Sequence, residues 1–474
     1  MVFSSLVFLS LFLPSLVLLY FIAPRRFRNI LLLAASIFFY AWGDAAFLWV
    51  LAVSVLCNYI GALAVSMRYI SSRRVLKGFA LAFFLVADFS LLFHYKYSYF
   101  FFSNVSTALG MDYVGQSLVL PLGISFYTFQ GVSYLVDVYR GVAAAERSLP
   151  RFALYISFFP QLVAGPIVKY HDICEQIKTR RETLDLFADG LRRFAVGFSK
   201  KILVANTMGR AADLVFDSPA GAFGPLVSWG GAVAYALQIY YDFSGYSDMA
   251  IGLGRMFGFR FLENFCLPYS SSTVTEFWRR WHISLSSWFR EYLYIPLGGN
   301  RAGRGMTVLN IGIVFLATGL WHGAAWTFVA WGALHGSLVV MERVLGWSEV
   351  GRRLLGFRTY RFAAMLAVLL GWVLFRSPDV TYAWHYVQNM FGAATYAPTR
   401  TLGYYFTPFC VAIGAFALFE STGVFRRLPF WGAAPEARST FACIVYDIGV
   451  LVLFAASVCF LAGSTYNPFI YFRF

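Results

Sequence analysis

The chain runs to 474 residues, 59% hydrophobic and only 13% charged, where a soluble domain carries about 25% charged residues. Its net charge is 38 − 23 = +15, yet no basic stripe falls within a soluble stretch, so nucleic-acid binding has no support. What remains is an all-α polytopic membrane protein whose basic loops hold one face of the bilayer and touch anionic lipid, with some charges free to steer an anionic substrate.

The first apolar run, Leu6–Ile22, has no basic residue before it and no small-residue cleavage site after it. It is therefore expected to stay as a membrane segment and not to be removed as a signal peptide. Arg25, Arg26 and Arg28 follow it, and Arg68, Arg73, Arg74 and Lys77 follow the run Ala45–Val65. The second cluster lies two apolar segments after the first and so on the same side; by the positive-inside rule both face the cytoplasm, which puts the N-terminus outside. Further apolar runs are Gly78–Phe93, Gly224–Tyr241, Thr307–Leu320, Phe362–Phe375, Tyr405–Phe419 and Phe441–Leu461. Several fall short of a full span, so broken or tilted segments are expected beside complete ones, roughly eleven to thirteen membrane-embedded helices in all. The longest polar stretch, residues 169–193, is too short for a soluble domain, and residues 1–474 read as one integral-membrane domain. The six cysteines are scattered through apolar stretches without a Cys-x-x-Cys pair, which suits buried hydrophobes and argues against a metal site.

Polar residues inside apolar surroundings are the functional candidates. The segment "QIYYDFSGYSDMAIGLGRMFGF" carries Asp242, Ser244, Ser247 and Asp248 directly after an apolar span; a helix end with a turn and a polar site are both open readings. Next comes "TVTEFWRRWHISLSSWFREYLYIPLGGNR", residues 273–301. Thr273 with Glu276 fits a capping box and Pro296 with Gly298 and Gly299 a stop, which predicts one helix between them. At 100° per residue, Phe277, Trp281, Leu285, Trp288 and Tyr292 share a stripe about 80° wide, widened by Trp278 and Phe289, with Glu276, Arg279, Arg280 and Arg290 on the far side. Such a helix lies along the cytoplasmic interface or dips into a cavity. His282 sits at the edge of its aromatic face.

In "LATGLWHGAAWTFVAWGALHG", residues 316–336, the ionisable side chains are His322 and His335. His322 reads either as a core histidine bonded to a carbonyl or as a proton acceptor. His335 lies 335 − 322 = 13 positions on; in an unbroken helix it points to a nearly opposite face and reads as packing. No Gly-x-Ser-x-Gly, His-Glu-x-x-His, Walker or dinucleotide motif is present, which removes serine-hydrolase, zincin, ATPase and Rossmann chemistry. A neutral imidazole in a sealed apolar site, with an ordinary pKa of about 6.5, suits taking a proton from a hydroxyl that attacks a thioester. Acyl transfer is the chemistry this points to.

The stretches "EFWRRWHISLSSWFREYLYIPLGGN", "TGLWHGAAWTFVAWGALHG", "QIYYDFSGYSDMAIGLGRMFGF" and "SFFPQLVAGPI", in this order, resemble the membrane-bound O-acyltransferase family. The nearest likeness is to its bacterial branch for alginate and other envelope polysaccharides, and it runs from "MVFSS" to the terminal "NPFIYFRF". The resemblance implies a core of helices around a funnel or tunnel through the membrane. It implies His322 as the active-site histidine and His282 as the second polar position. It also implies no bound cofactor, a cytoplasmic thioester donor such as acetyl-CoA, and an exported SGNH-type acetyltransferase among polysaccharide-secretion proteins as partner. The terminal motif's tyrosine, Tyr471, becomes a candidate acyl carrier, against an interfacial aromatic anchor. Arg279, Arg280, Arg290, Arg301 and Arg304, with Trp278 and Trp281, become candidate donor contacts, against plain lipid contact.

The resulting expectation is a bacterial inner-membrane acetyltransferase that passes acetyl groups outward to an exported, alginate-like polysaccharide. Acylation of peptidoglycan, cellulose, teichoic acid or a lipid stands as the alternative, as does a transporter, a flippase or a scaffold without covalent chemistry.

Overall fold

The computed structural model describes residues 1–163, 165–393, 397, 400–424 and 440–470. The described residues are helical throughout, without a strand. They form two compact units, Met1–Phe194 with Met249–Leu262, and Ala195–Asp248 with Glu263–Phe474.

The first unit contains α1 (Leu13–Ile22), α2 (Arg25–Asp44), α3 (Leu48–Ser66), α4 (Arg74–Leu92), α5 (Ile124–Arg140) and α6 (Tyr170–Thr179). Pro24 ends α1: the residue before it, Ala23, turns extended at ψ 137, because a proline ring clashes with a helical predecessor. Behind that break, Arg28 pairs with Glu182 at 3.0 Å, and Glu182 accepts the Tyr20 hydroxyl at 2.5 Å. Arg28 thus serves the packing of its own unit as well as any topological role. Between α3 and α4, buried Asn58 donates to Asp88 at 2.9 Å, so two polar groups at span depth meet one another.

The second unit holds α7 (Pro225–Met256, as far as Asp248), α8 (Val274–Arg280), α9 (Ile283–Phe289), α10 (Gly303–His322), α11 (Trp326–Arg343) and α12 (Phe357–Arg376). Its core is an aromatic-rich cluster that includes Tyr240, Trp278, Trp281, Trp331, Trp372 and Ile470. The α10–α11 hairpin is unusually close. A Cβ on Gly319 would stand 2.3 Å from the Phe328 carbonyl oxygen, and one on Gly332 would stand 2.4 Å from that of Phe315. Only glycine allows backbones this near, as small residues do at membrane helix crossings.

The membrane class holds, and two expectations change. Among the described residues, elements long and apolar enough to cross a membrane are Arg25–Ser66, Arg74–Ala108, Gly303–His322, Phe357–Arg376 and Thr440–Ala462, five in number or six with one bent pair. Ala45–Val65 joins the helix before it and other runs form shorter helices, the partial segments expected beside complete ones. The Asp242–Asp248 segment is no helix end, since α7 runs through it to Met256. The single helix expected over residues 273–299 is two, α8 and α9, divided at Trp281 and His282. Its aromatic stripe faces protein and not a membrane interface: Phe277, Trp281, Leu285 and Trp288 are all buried.

Gly332→Ala should lower the thermal midpoint of the detergent-solubilised protein, by the equivalent of about 1–3 kcal/mol for overpacking. A midpoint unchanged from wild type would show that α10 and α11 do not meet this closely.

Candidate active site

The site grows from the break in the aromatic helix. Thr273 caps α8 by accepting from the Glu276 amide at 2.9 Å, and the Glu276 carboxylate returns to the Ser272 amide at 2.8 Å, so the predicted capping box forms. Glu342 on α11 adds a second cap, accepting from the Val274 and Thr275 amides at 2.8 and 2.7 Å. After two turns the helix stops, because His282 takes a left-handed conformation, φ 43 and ψ 55. A non-glycine residue held there stores roughly 1–3 kcal/mol of strain, a feature that clusters at functional sites.

Asn264 imposes that conformation. Its carbonyl oxygen accepts the Ile283 amide at 3.0 Å, and its side-chain Oδ1 accepts the Ser284 amide at 3.1 Å and the Ser284 hydroxyl at 2.9 Å. A backbone N–H can only donate, so the atom facing Ser284 is oxygen, and the His282 Nδ1 at 3.2 Å must carry a proton and donate to it. In the neutral ring the lone pair is then on Nε2, which is buried with no protein hydrogen-bond partner. The ring packs edge-on to Phe243 at 4.6 Å and against Trp321 at 5.8 Å.

Trp321 leads directly to His322, the last residue of α10. Gly323 turns extended after it, and α11 begins at Trp326. The helix therefore breaks between His322 and His335, and the two do not face opposite ways as an unbroken helix would require. Both rings lie against Trp331, His322 at 5.2 Å and His335 at 5.0 Å. The His322 ring is further enclosed by Trp321 and Phe375, each at 5.0 Å. Its exposure of 7% compares with 0% for His282 and His335, so of the three it alone presents surface that a small molecule can reach. His335 is committed to packing: its Nδ1 accepts from the Trp278 indole at 3.3 Å, and its Nε2 lies against Gly371.

A cavity of ≈ 490 Å³ lies among α8 to α11, lined by Arg279, Arg290, Arg343, Trp278, Thr318 and Tyr294 among others. That volume falls in the range of small-molecule sites, about 300–1,000 Å³. The three arginines are exposed, while Trp278 is buried. Thr318 is one turn before His322 on α10, and Trp278 is 5.5 Å from Trp331, which also packs against His322. The other four donor candidates do not line it. Arg280 pairs with Glu276 at 2.7 Å and donates to Ser270 at 3.1 Å, and Trp281 packs on Phe277 and Trp372 at 5.5 and 4.8 Å. Arg301 and Arg304 are exposed in the loop that opens α10 and at its start. Arg343, Asn264 and Trp331 belong to the site but escaped the sequence reading, for each owes its place to a partner distant in the chain.

The C-terminal segment enters the same unit. Phe469 stacks on Tyr246 at 4.6 Å, and Ile470 is part of the aromatic core, a placement unlike an anchor at the membrane surface. Tyr471 lies outside the described residues.

Comparison with known proteins matches this geometry to a family. A model of the membrane-bound O-acyltransferase family matches residues 34–347. Over its full length the chain is 40% identical to the whole of a probable alginate O-acetylase of Azotobacter vinelandii. It is 32% identical, again over its full length, to 98% of a peptidoglycan O-acetyltransferase of Helicobacter pylori. Over 47% of its length it is 31% identical to 59% of a teichoic acid D-alanyltransferase of Bacillus subtilis.

His282 invites a test that separates backbone from ring. His282→Gly and His282→Ala both remove the imidazole, but only glycine enters the left-handed region freely, so the glycine variant should be the more stable by about 1–2 kcal/mol. Thermal midpoints in detergent measure this. Equal midpoints for the two variants would refute the left-handed conformation.

Proposed function

We propose that this chain, which belongs to the membrane-bound O-acyltransferase family, is a multi-pass acetyltransferase of the bacterial inner membrane. It takes acetyl groups from a cytoplasmic thioester, acetyl-CoA, and delivers them outward for O-acetylation of an exported, alginate-like polysaccharide. The observation that carries this reading is the arginine-lined cavity beside α10, from which Trp278 and Trp331 pack in succession toward His322. The full-length likeness to an alginate O-acetylase supports the choice of polymer, and the peptidoglycan relative keeps a second acceptor in play.

In this mechanism Arg279, Arg290 and Arg343 meet the donor's phosphates, where charge-assisted bonds are strongest. His322 removes a proton from the attacking hydroxyl, a carbon–oxygen bond forms at the acetyl carbonyl, the carbon–sulfur bond breaks, and the proton passes to the departing thiolate. The carbonyl end of α10 lies beside the imidazolium that forms on the way and stabilises it. The attacking hydroxyl is that of Tyr471, whose phenyl ester is reactive enough to pass the acetyl group to the serine of an exported SGNH-type partner. The basic clusters at Arg25–Arg28 and Arg68–Lys77, two apolar segments apart, hold the cytoplasmic face, with the N-terminus outside.

His322→Ala should lower polymer acetylation by about 10²–10⁴-fold, the usual worth of a general base, with normal abundance in the membrane. Near-wild-type acetylation would instead fit a transporter or scaffold. Arg343→Gln, an exposed substitution, should raise the KM for acetyl-CoA by about tenfold, the value of one charge-assisted hydrogen bond, with kcat little changed. An unchanged KM would remove Arg343 from the donor site.

A further inference from the structure

Lys201 and Asp242 form an ion pair at 2.8 Å, with side chains only 3% and 1% exposed. A buried pair of this kind is poor glue: desolvation offsets most of the attraction, and apolar residues of similar volume commonly hold helices as well. What the pair does beyond contacting itself is more telling. Asp242 Oδ2 accepts from the Ile470 amide at 2.8 Å, and Lys201 Nζ donates to the Pro468 carbonyl. The two charges therefore grip the backbone on either side of Phe469, one through an acceptor and one through a donor. No pair of apolar side chains offers both.

The surroundings repeat the pattern. Asn206 donates to the Tyr466 carbonyl and to Asn467 Oδ1, both at 3.3 Å, and the Tyr466 hydroxyl donates to Asp213 at 2.6 Å. Lys201 itself stands on a π-helical turn, Lys200–Ala205, a local widening of the helix that is frequent at functional sites. Asp242 projects from the middle of α7, where a polar group has no turn to serve. Every one of these groups is aimed at a segment that begins more than 220 positions later in the chain.

We propose that Lys201 and Asp242 are positioning residues for the reaction: they latch the C-terminal segment into the core by its backbone and so fix the residue that precedes Tyr471. The inference rests on the reading of Tyr471 as the acyl carrier. A carrier that must meet a donor and then an acceptor gains from a fixed base, since misplacement of a reacting group by about 1 Å can lower a rate by 10²-fold. The latch holds main-chain atoms, which leaves the Tyr471 hydroxyl to the chemistry.

The test uses the full-length protein in detergent. Changing Lys201 or Asp242 alone leaves a buried charge unpaired and endangers folding, so the variant is the double one, Lys201→Met with Asp242→Leu. Hydrogen–deuterium exchange at the Ile470 amide should speed up by roughly tenfold or more as its acceptor is lost. Acetyl transfer should lose roughly tenfold or more in kcat while the KM for acetyl-CoA stays near wild type, since the donor cavity is untouched. Tyr471→Phe should abolish transfer yet leave Ile470 as protected as in wild type. Unchanged exchange at Ile470 in the double variant overturns the latch, and so does fast exchange with wild-type kcat. If Tyr471→Phe acetylates normally, the carrier reading falls by itself, while exchange at Ile470 still decides whether the pair holds the tail.

Discussion

The interior of a bilayer supplies no water, so each polar group placed there must find its partner within the protein. Much of this molecule follows from that constraint. Asn58 donates to Asp88 between α3 and α4, and the Trp278 indole is matched to His335. Asn264 gathers a backbone amide, a hydroxyl and an imidazole onto one oxygen. Lys201 and Asp242 divide their capacity between each other and the C-terminal backbone. Where such matching is complete, a polar group is structural. The matching is not complete everywhere: His282 Nε2 and His335 Nε2 are both buried without a hydrogen-bond partner in the protein, and His322 keeps 7% of its surface exposed.

The same accounting explains what could be read from the sequence. Hydropathy reports burial in lipid along a single strand of chain, so the all-helical membrane class was legible from the apolar runs alone. So was the capping box at Thr273 and Glu276, because its partners are three residues apart. The break at His282 was not. Its cause is Asn264, 18 positions away, and no local pattern in "WRRWHISLSS" announces it; the helical stripe is present in the sequence, but the backbone turns before it can form one face. His322 and His335 were read as divergent for a similar reason, since Gly323 ends the helix between them. The arginines around the cavity were half legible. Arg279 and Arg290 reach the cavity, Arg280 is taken by Glu276, and Arg343 comes from a helix whose approach depends on Gly319 and Gly332.

The abundance of aromatic residues has a chemical use as well as a packing one. Around His322 the near neighbours are Trp321, Trp331 and Phe375, and around His282 they are Phe243, Phe265 and Trp321. Rings of this size exclude water while offering few groups that an acyl thioester could acylate by mistake. A dry wall also strengthens the electrostatics of the few polar atoms inside it. On the proposed acyl-transfer reading, the side chains that build the core would also keep water from the reacting group.

That economy bears on why a carrier would be part of the chain itself. A phenyl ester is useful because it is reactive, and for that reason it must be kept from water until its acceptor arrives. A separate carrier would have to diffuse into a walled site and leave it again on every turnover, opening the wall each time. A carrier tethered at Ile470 needs no entry. The residues just before it are already held against Tyr246, Lys201 and Asp242. On the carrier reading, the constraint that forces polar groups to pair at membrane depth would also fix the point from which the acetyl group is carried.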